Sequence, residues 1–197
     1  MAITRAGDEG PHRALGTFRW GLVPSWAKDP SVGHRMINAR AEGITEKAAY
    51  RSAIAERRCL IPADAFYEWQ RRTDAAGGPK GRLPYVIRRG DGQPMALAGI
   101  WEVWRADPEA EPVRSCAIVT TRANELMAPI HDRMPVILEP QNWAAWLDRD
   151  TDPAAVLAML KPAPSELLEA YPVSSLVNKV DHDGPRLIEP LPDPPTG

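Results

Sequence analysis

The sequence predicts an α+β fold, a single domain of mainly antiparallel sheets with a few helices. Three observations carry that prediction. Short apolar or alternating runs recur through the middle of the chain, as strands do. Stretches rich in Gly, Pro and acidic residues separate them at the spacing of hairpin loops. Helix formers gather only in brief blocks, one early and two late. With 197 residues, 44% of them hydrophobic, the chain is long enough for one sizeable core.

The elements follow in order. Residues 16–22 (GTFRWGL) alternate apolar and polar positions like a half-buried strand. The next stretch, 24–33 (PSWAKDPSVG), has two prolines, a glycine and a tryptophan, and reads as a structured loop. Residues 45–57 (TEKAAYRSAIAER) predict a helix capped by Thr45. Runs at 58–69, 83–88, 95–103 and 115–121 read as strands, with flexible loops at 73–81 and 106–113. Residues 140–147 and 153–160 predict helices that start on a proline. The domain is expected to fill residues 1–190. Residues 191–197, proline-rich, are expected to form a disordered tail.

Composition narrows the function classes. No run approaches the roughly 18 apolar residues of a membrane span, and the N-terminus lacks a signal-peptide core, so a cytoplasmic location is expected. The two cysteines, Cys59 and Cys116, sit in apolar runs and suit buried thiols better than a disulfide. A net charge of −2 argues against a globally basic nucleic-acid binder. Charge is nevertheless uneven: residues 34–89 hold 12 Lys/Arg against 6 Asp/Glu, a balance of +6 that leaves −8 elsewhere. That segment permits a local DNA-binding patch, and equally an ordinary solvated surface.

Several polar residues stand inside apolar text: Asn38 and Arg40 in MINARAE, Glu68 between Tyr67 and Trp69, and His131 in PIHDRMPVIL. Glu68 either points away from its aromatic neighbours into solvent, because strand side chains alternate, or is a desolvated acid suited to proton transfer. His131 reads equally as a hydrogen-bonded core histidine, and the other histidines, at 12, 34 and 182, form no metal-ligand spacing with it.

The segments WGLVPSWAKD, INARAE, CLIPADAFYEW, AGIWE, IVTT, IHDRMPVIL, PVSSLVN and DGPRLIEP occur in this order from about residue 18 to 190. Together they closely resemble the SRAP family, the SOS-response-associated peptidases. The resemblance implies a protein that holds single-stranded DNA at an abasic site. It also implies a nucleophilic N-terminal cysteine that condenses with the sugar aldehyde into a thiazolidine, and self-processing peptidase activity. By motif, Glu68 resembles the family's acid/base glutamate, His131 the histidine that assists sugar ring opening, and Asn38 the asparagine that orients the reacting end. Arg40 and Arg133 resemble phosphate-binding arginines, Trp26 a base-stacking aromatic, and Thr120 a further DNA contact. Asn38, Glu68 and His131 are expected around one end of a groove. No metal or organic cofactor is implied, and a monomer is expected.

The departure lies at the start. Family chains begin Met-Cys-Gly-Arg and carry a YNVAPTQ-like block, whereas this one begins Met-Ala-Ile-Thr-Arg. Either the sequence is an N-terminally truncated copy, which the retained Glu68, His131 and Asn38 favour, or it is a divergent member without the covalent chemistry. Two other function classes stand beside the main reading. One is a non-catalytic single-stranded DNA binder. The other is a cysteine protease using Cys59 or Cys116 with His131 and Asn38, which is disfavoured because both thiols lie in apolar runs.

Overall fold

The computed structural model describes residues 1–5, 13–73 and 79–192. It is a mixed α+β domain, mostly sheet with few helices, as the sequence predicts. The strands are β1 (Ala2–Arg5), β2 (Arg13–Gly16), β3 (Arg19–Trp20), β4 (Asn38–Arg40), β5 (Arg58–Ala63), β6 (Ala65–Thr73), β7 (Pro79–Arg89), β8 (Met95–Trp104), β9 (Val113–Arg122), β10 (Arg133–Pro135) and β11 (Leu168–Pro172). The helices are α1 (Ala48–Glu56), α2 (Trp143–Leu147) and α3 (Pro153–Ala158). Among the described residues no helix is long and apolar enough to cross a membrane.

The residues gather into two compact units. The first comprises Met1–Ala63, Ala96–Arg122 and Pro135–Ala163. Its sheet runs β9-β8-β5-β1-β2, with β3 and β4 both laid parallel to β9. Strand alternation sorts the side chains onto two faces. Leu60, Ala98, Ile100, Ala117 and Val119 pack with Tyr50, Ile54, Trp146 and Val156 from the helices. The intervening residues Cys59 and Cys116 form a second cluster with Ala2, against Phe18, Ile61 and Trp101. Gly99 permits this packing, because a Cβ there would lie 2.7 Å from the Cys59 sulfur.

One buried cation joins two helix ends in this unit. Arg58, only 4% exposed, donates from Nη1 to the Ile54 and Ala55 carbonyls of α1, at 2.7 and 2.6 Å. Its Nε donates to the Trp146 carbonyl at 2.6 Å, and its Nη2 to that of Asp148. These are carbonyls that a helix leaves without partners at its C-terminus, where a positive charge also suits the helix dipole. Burial lowers the Arg58 pKa, and Asp148 opposes that shift.

The second unit comprises Asp64–Met95, Ala123–Met134 and Pro164–Gly197. Its three-stranded antiparallel sheet runs β11-β7-β6. The long β6–β7 ladder pairs Ala65 with Arg88 at one end and, beyond a register shift after Arg72, Thr73 with Pro79 at the other.

Some expected boundaries move. The strand at 16–22 is broken into β2 and β3, and the run 58–69 divides at Asp64 into β5 and β6. The helix expected from Thr45 begins at Ala48. Residues 41–47 form turns first, with the Ile44 amide donating to the Ala41 carbonyl and the Lys47 amide to that of Gly43, so Thr45 is no cap. Pro79–Gly81, expected in a loop, lie on β7, and β4 and β11 carried no strand signal strong enough to read. Of the expected tail at 191–197, residues 193–197 lie outside the described residues, as do 74–78 of the loop at 73–81.

Candidate functional site

In the second unit, alternation along β6 separates Glu68 from the aromatics beside it. Tyr67 donates to the Leu187 carbonyl at 3.4 Å and Trp69 Nε1 to Asn178 Oδ1 at 2.7 Å. On the other side Gln70 Nε2 donates to the Pro129 carbonyl at 3.0 Å, and Glu68 meets His131. Glu68 therefore does point away from its neighbours, but into a cleft of about 370 Å³ rather than into open solvent. Pro129 and Asp132 share its walls, and so do Trp69, Arg71 and Arg82 from the other face of the ladder, because β6 is the edge strand of its sheet and the cleft reaches around it.

His131 is delivered by a tight series of turns at 124–130. The Met127 amide donates to Asn124 Oδ1 at 3.0 Å, and the His131 amide to the Met127 carbonyl at 2.9 Å. Met127 and Ile130, 0% and 9% exposed, anchor these turns.

His131 Nδ1 sits 4.0 Å from Glu68 Oε1 and 3.4 Å from Asp132 Oδ1. It accepts the Arg133 amide hydrogen at 3.0 Å, which leaves the proton of the neutral ring on Nε2. The Arg133 carbonyl, 3.2 Å away, accepts when Nδ1 is protonated. Both ring states thus have a backbone partner, the condition for a side chain that passes a proton on.

Burial raises the Glu68 pKa above its ordinary value. His131 and the Trp69 amide pull it down and Asp132 pushes it up, but desolvation dominates. The result is a carboxyl group that keeps its proton to higher pH than a free glutamate does. Among the described residues no three His, Cys, Asp or Glu side chains gather as metal ligands.

The first unit holds the other sequence-predicted residues. β4 lies parallel to β9, with Asn38 opposite Ile118 and Arg40 opposite Thr120. Ala39 between them is fully buried, so Asn38 and Arg40 project together from the exposed face. Thr120, expected to touch DNA, is 8% exposed on β9, and its carbonyl accepts from the Ala41 amide at 2.8 Å.

Trp26 is 68% exposed at the tip of a loop whose stem is fixed. Leu22 and Val23 are fully buried, the Val23 amide donates to Ser115 Oγ at 2.8 Å, and Trp104 Nε1 donates to the Ala27 carbonyl at 2.6 Å. Gly21, at φ +116°, lets this loop run against residues 30–35: a Cβ there would lie 2.5 Å from the Gly33 carbonyl oxygen. A large aromatic held in water on a rigid stem is a platform for a flat partner.

The cysteines are not activated. Cys59 is fully buried and its pKa is pushed well up, chiefly by burial; Cys116 is 6% exposed and shifted the same way for the same reason. A nucleophilic thiolate needs the opposite environment, which weighs against the protease reading. Sequence reasoning missed Arg71, Arg82 and Asp132 as cleft residues and Asn178 as the partner of Trp69. The first three carry no motif of their own, and only the ladder and the turns bring them together.

Comparison with known proteins identifies the family. A family model described as SOS response associated peptidase (SRAP) matches residues 1–180. The abasic site processing protein YoqW of Bacillus subtilis is 46% identical over 183 residues, covering 92% of this chain and 79% of that one. The abasic site processing protein HMCES of Gallus gallus is 33% identical over 206 residues, covering 93% of this chain and 59% of its own. A crystal structure of a Bacteroides thetaiotaomicron protein superposes with a TM-score of 0.79 at 28% identity, covering 88% of this chain and 75% of that one. With its motifs in order, its mixed sheet-rich fold and a family match across nearly its whole length, the chain belongs to the SRAP family.

Proposed function

We propose that this protein binds single-stranded DNA at an abasic site and moves protons at the open-chain sugar. The observation that carries the reading is the Glu68–His131 pair, a desolvated carboxyl 4.0 Å from an imidazole in a polar cleft. An abasic sugar exchanges between a closed ring and an aldehyde, and that exchange needs a group to take a proton and a group to return it. Glu68 and His131 supply both. Arg133 holds the imidazole through its backbone amide. In the first unit Trp26 offers a face to a base, Arg40 a fork to a phosphate and Asn38 an amide for the reacting end.

The family's covalent bond calls for a cysteine with a free α-amine. These 197 residues carry Ala2 at position 2, fully buried beside Cys59, so they supply the binding surface and the proton-transfer pair without that nucleophile.

The test is to mix the 197-residue protein with single-stranded DNA bearing one abasic site. A native gel should show a complex that weakens with salt, and a denaturing gel should show no heat-stable band. No complex at low salt would sink the reading. A heat-stable band would place a nucleophile at Cys59, Cys116 or the N-terminal amine, for mass spectrometry to locate.

A further inference from the structure

Two arginines in the cleft stand opposite each other on paired strands. Arg71 on β6 and Arg82 on β7 are register partners, both are exposed, and both line the cleft that holds Glu68 and His131. Like charges placed directly across a ladder repel and cost stability unless something negative lies between them. The same strand shows how its other arginines are handled. Arg88 pairs with Glu169, and Arg89 Nη2 lies 2.7 Å from Asp91 Oδ2. Arg71 and Arg82 have no carboxylate partner among the described residues. At one end of the ladder the charge is neutralised within the protein, whereas at the cleft end no carboxylate among the described residues pairs with it.

We propose that Arg71 and Arg82 form a clamp for one phosphodiester of single-stranded DNA, the one next to the sugar engaged by Glu68 and His131. The clamp rests on the function proposed above and adds a contact at the same cleft. Two guanidinium forks converging on one phosphate offer parallel charge-assisted hydrogen bonds to its oxygens. The bound phosphate in turn relieves the repulsion between the two arginines. Arg71 and Arg82 act as positioning residues, setting the sugar against the proton-transfer pair.

The experiment compares wild type with Arg71→Gln, Arg82→Gln and the double variant, binding an oligonucleotide with one abasic site over a range of salt concentrations. Releasing one phosphate contact on a single strand should make the slope of log K against log salt shallower by about 0.7. Because both arginines serve one phosphate, the double variant should lose little more affinity than either single variant. Replacing the phosphates flanking the abasic sugar, one at a time, by uncharged methylphosphonates should weaken wild type at one position at which the double variant is indifferent. Melting temperatures should not fall, since a like-charge pair has been removed.

An unchanged slope in the double variant, with wild type still binding, overturns the clamp alone. Additive losses with a slope change of about 1.4 also overturn it, by showing two independent phosphate contacts. If wild type does not bind the DNA, the functional reading falls and the clamp falls with it.

Discussion

His131 Nδ1 lies 4.0 Å from Glu68 Oε1, near enough for their charges to couple but beyond a direct hydrogen bond, and the imidazole spends its lone pair on the Arg133 amide 3.0 Å away. The two groups are therefore held independently, Glu68 by its strand and His131 by its turns and a backbone donor. A substrate atom can enter between them without first breaking a bond that holds either in place.

Replacing Glu68 by Gln should raise stability at neutral pH. The folded-state pKa of Glu68 lies above its unfolded value, so the unfolded chain releases this proton more readily and ionisation favours unfolding. Stability from the protonated form is complete below the ordinary value of 4.5 and is lost as pH rises through the folded pKa. The melting-temperature advantage of Glu68→Gln over wild type should therefore fade as pH falls towards 4.5, as thermal melts across that range would show. A constant advantage at all pH values would mean that Glu68 is not desolvated as described.

Trp26→Ala should weaken single-stranded DNA binding by about 1–3 kcal/mol, roughly five- to 150-fold, with little change in melting temperature. The indole is 68% exposed, so its loss leaves no cavity. Fluorescence anisotropy with a labelled oligonucleotide gives the affinity, and equal binding by the variant would remove Trp26 from the interface.

Gly21→Ala should destabilise the fold by about 3 kcal/mol or more, through backbone strain at φ +116° and a Cβ placed 2.5 Å from the Gly33 carbonyl oxygen. Because Gly21 sets the base of the loop bearing Trp26, DNA affinity should fall together with the denaturation midpoint. A stable variant with normal affinity would show that the two backbones do not approach so closely.

Arg58→Met should cost about 3 kcal/mol or more, since four carbonyls at the ends of α1 and α2 lose their donors inside the fold. Chemical denaturation would measure the loss. A cost below about 1 kcal/mol would mean that water replaces the guanidinium.

Cys59 and Cys116 should resist an aromatic disulfide reagent in the folded protein and react on denaturation. Burial both shields these thiols and raises their pKa. Rapid labelling under native conditions would revive the protease reading.

The α+β class was legible because it follows from local rules. Short apolar runs at 95–103 and 115–121 mark β8 and β9 to within two residues, and the prolines at 140 and 153 mark where helical turns begin. Motif order also marked Asn38, Glu68 and His131 before any geometry was known. For Glu68 alternation left two readings open, a side chain turned into solvent or a desolvated acid, because a period of two fixes only a direction. Whether that direction meets water or His131 depends on the turns at 124–130, more than fifty residues away in the chain. The same holds for Arg71 and Arg82. Their identities are plain in the sequence, but only the β6–β7 ladder sets one opposite the other, because strand pairing joins residues by register, a property of two segments that neither encodes alone.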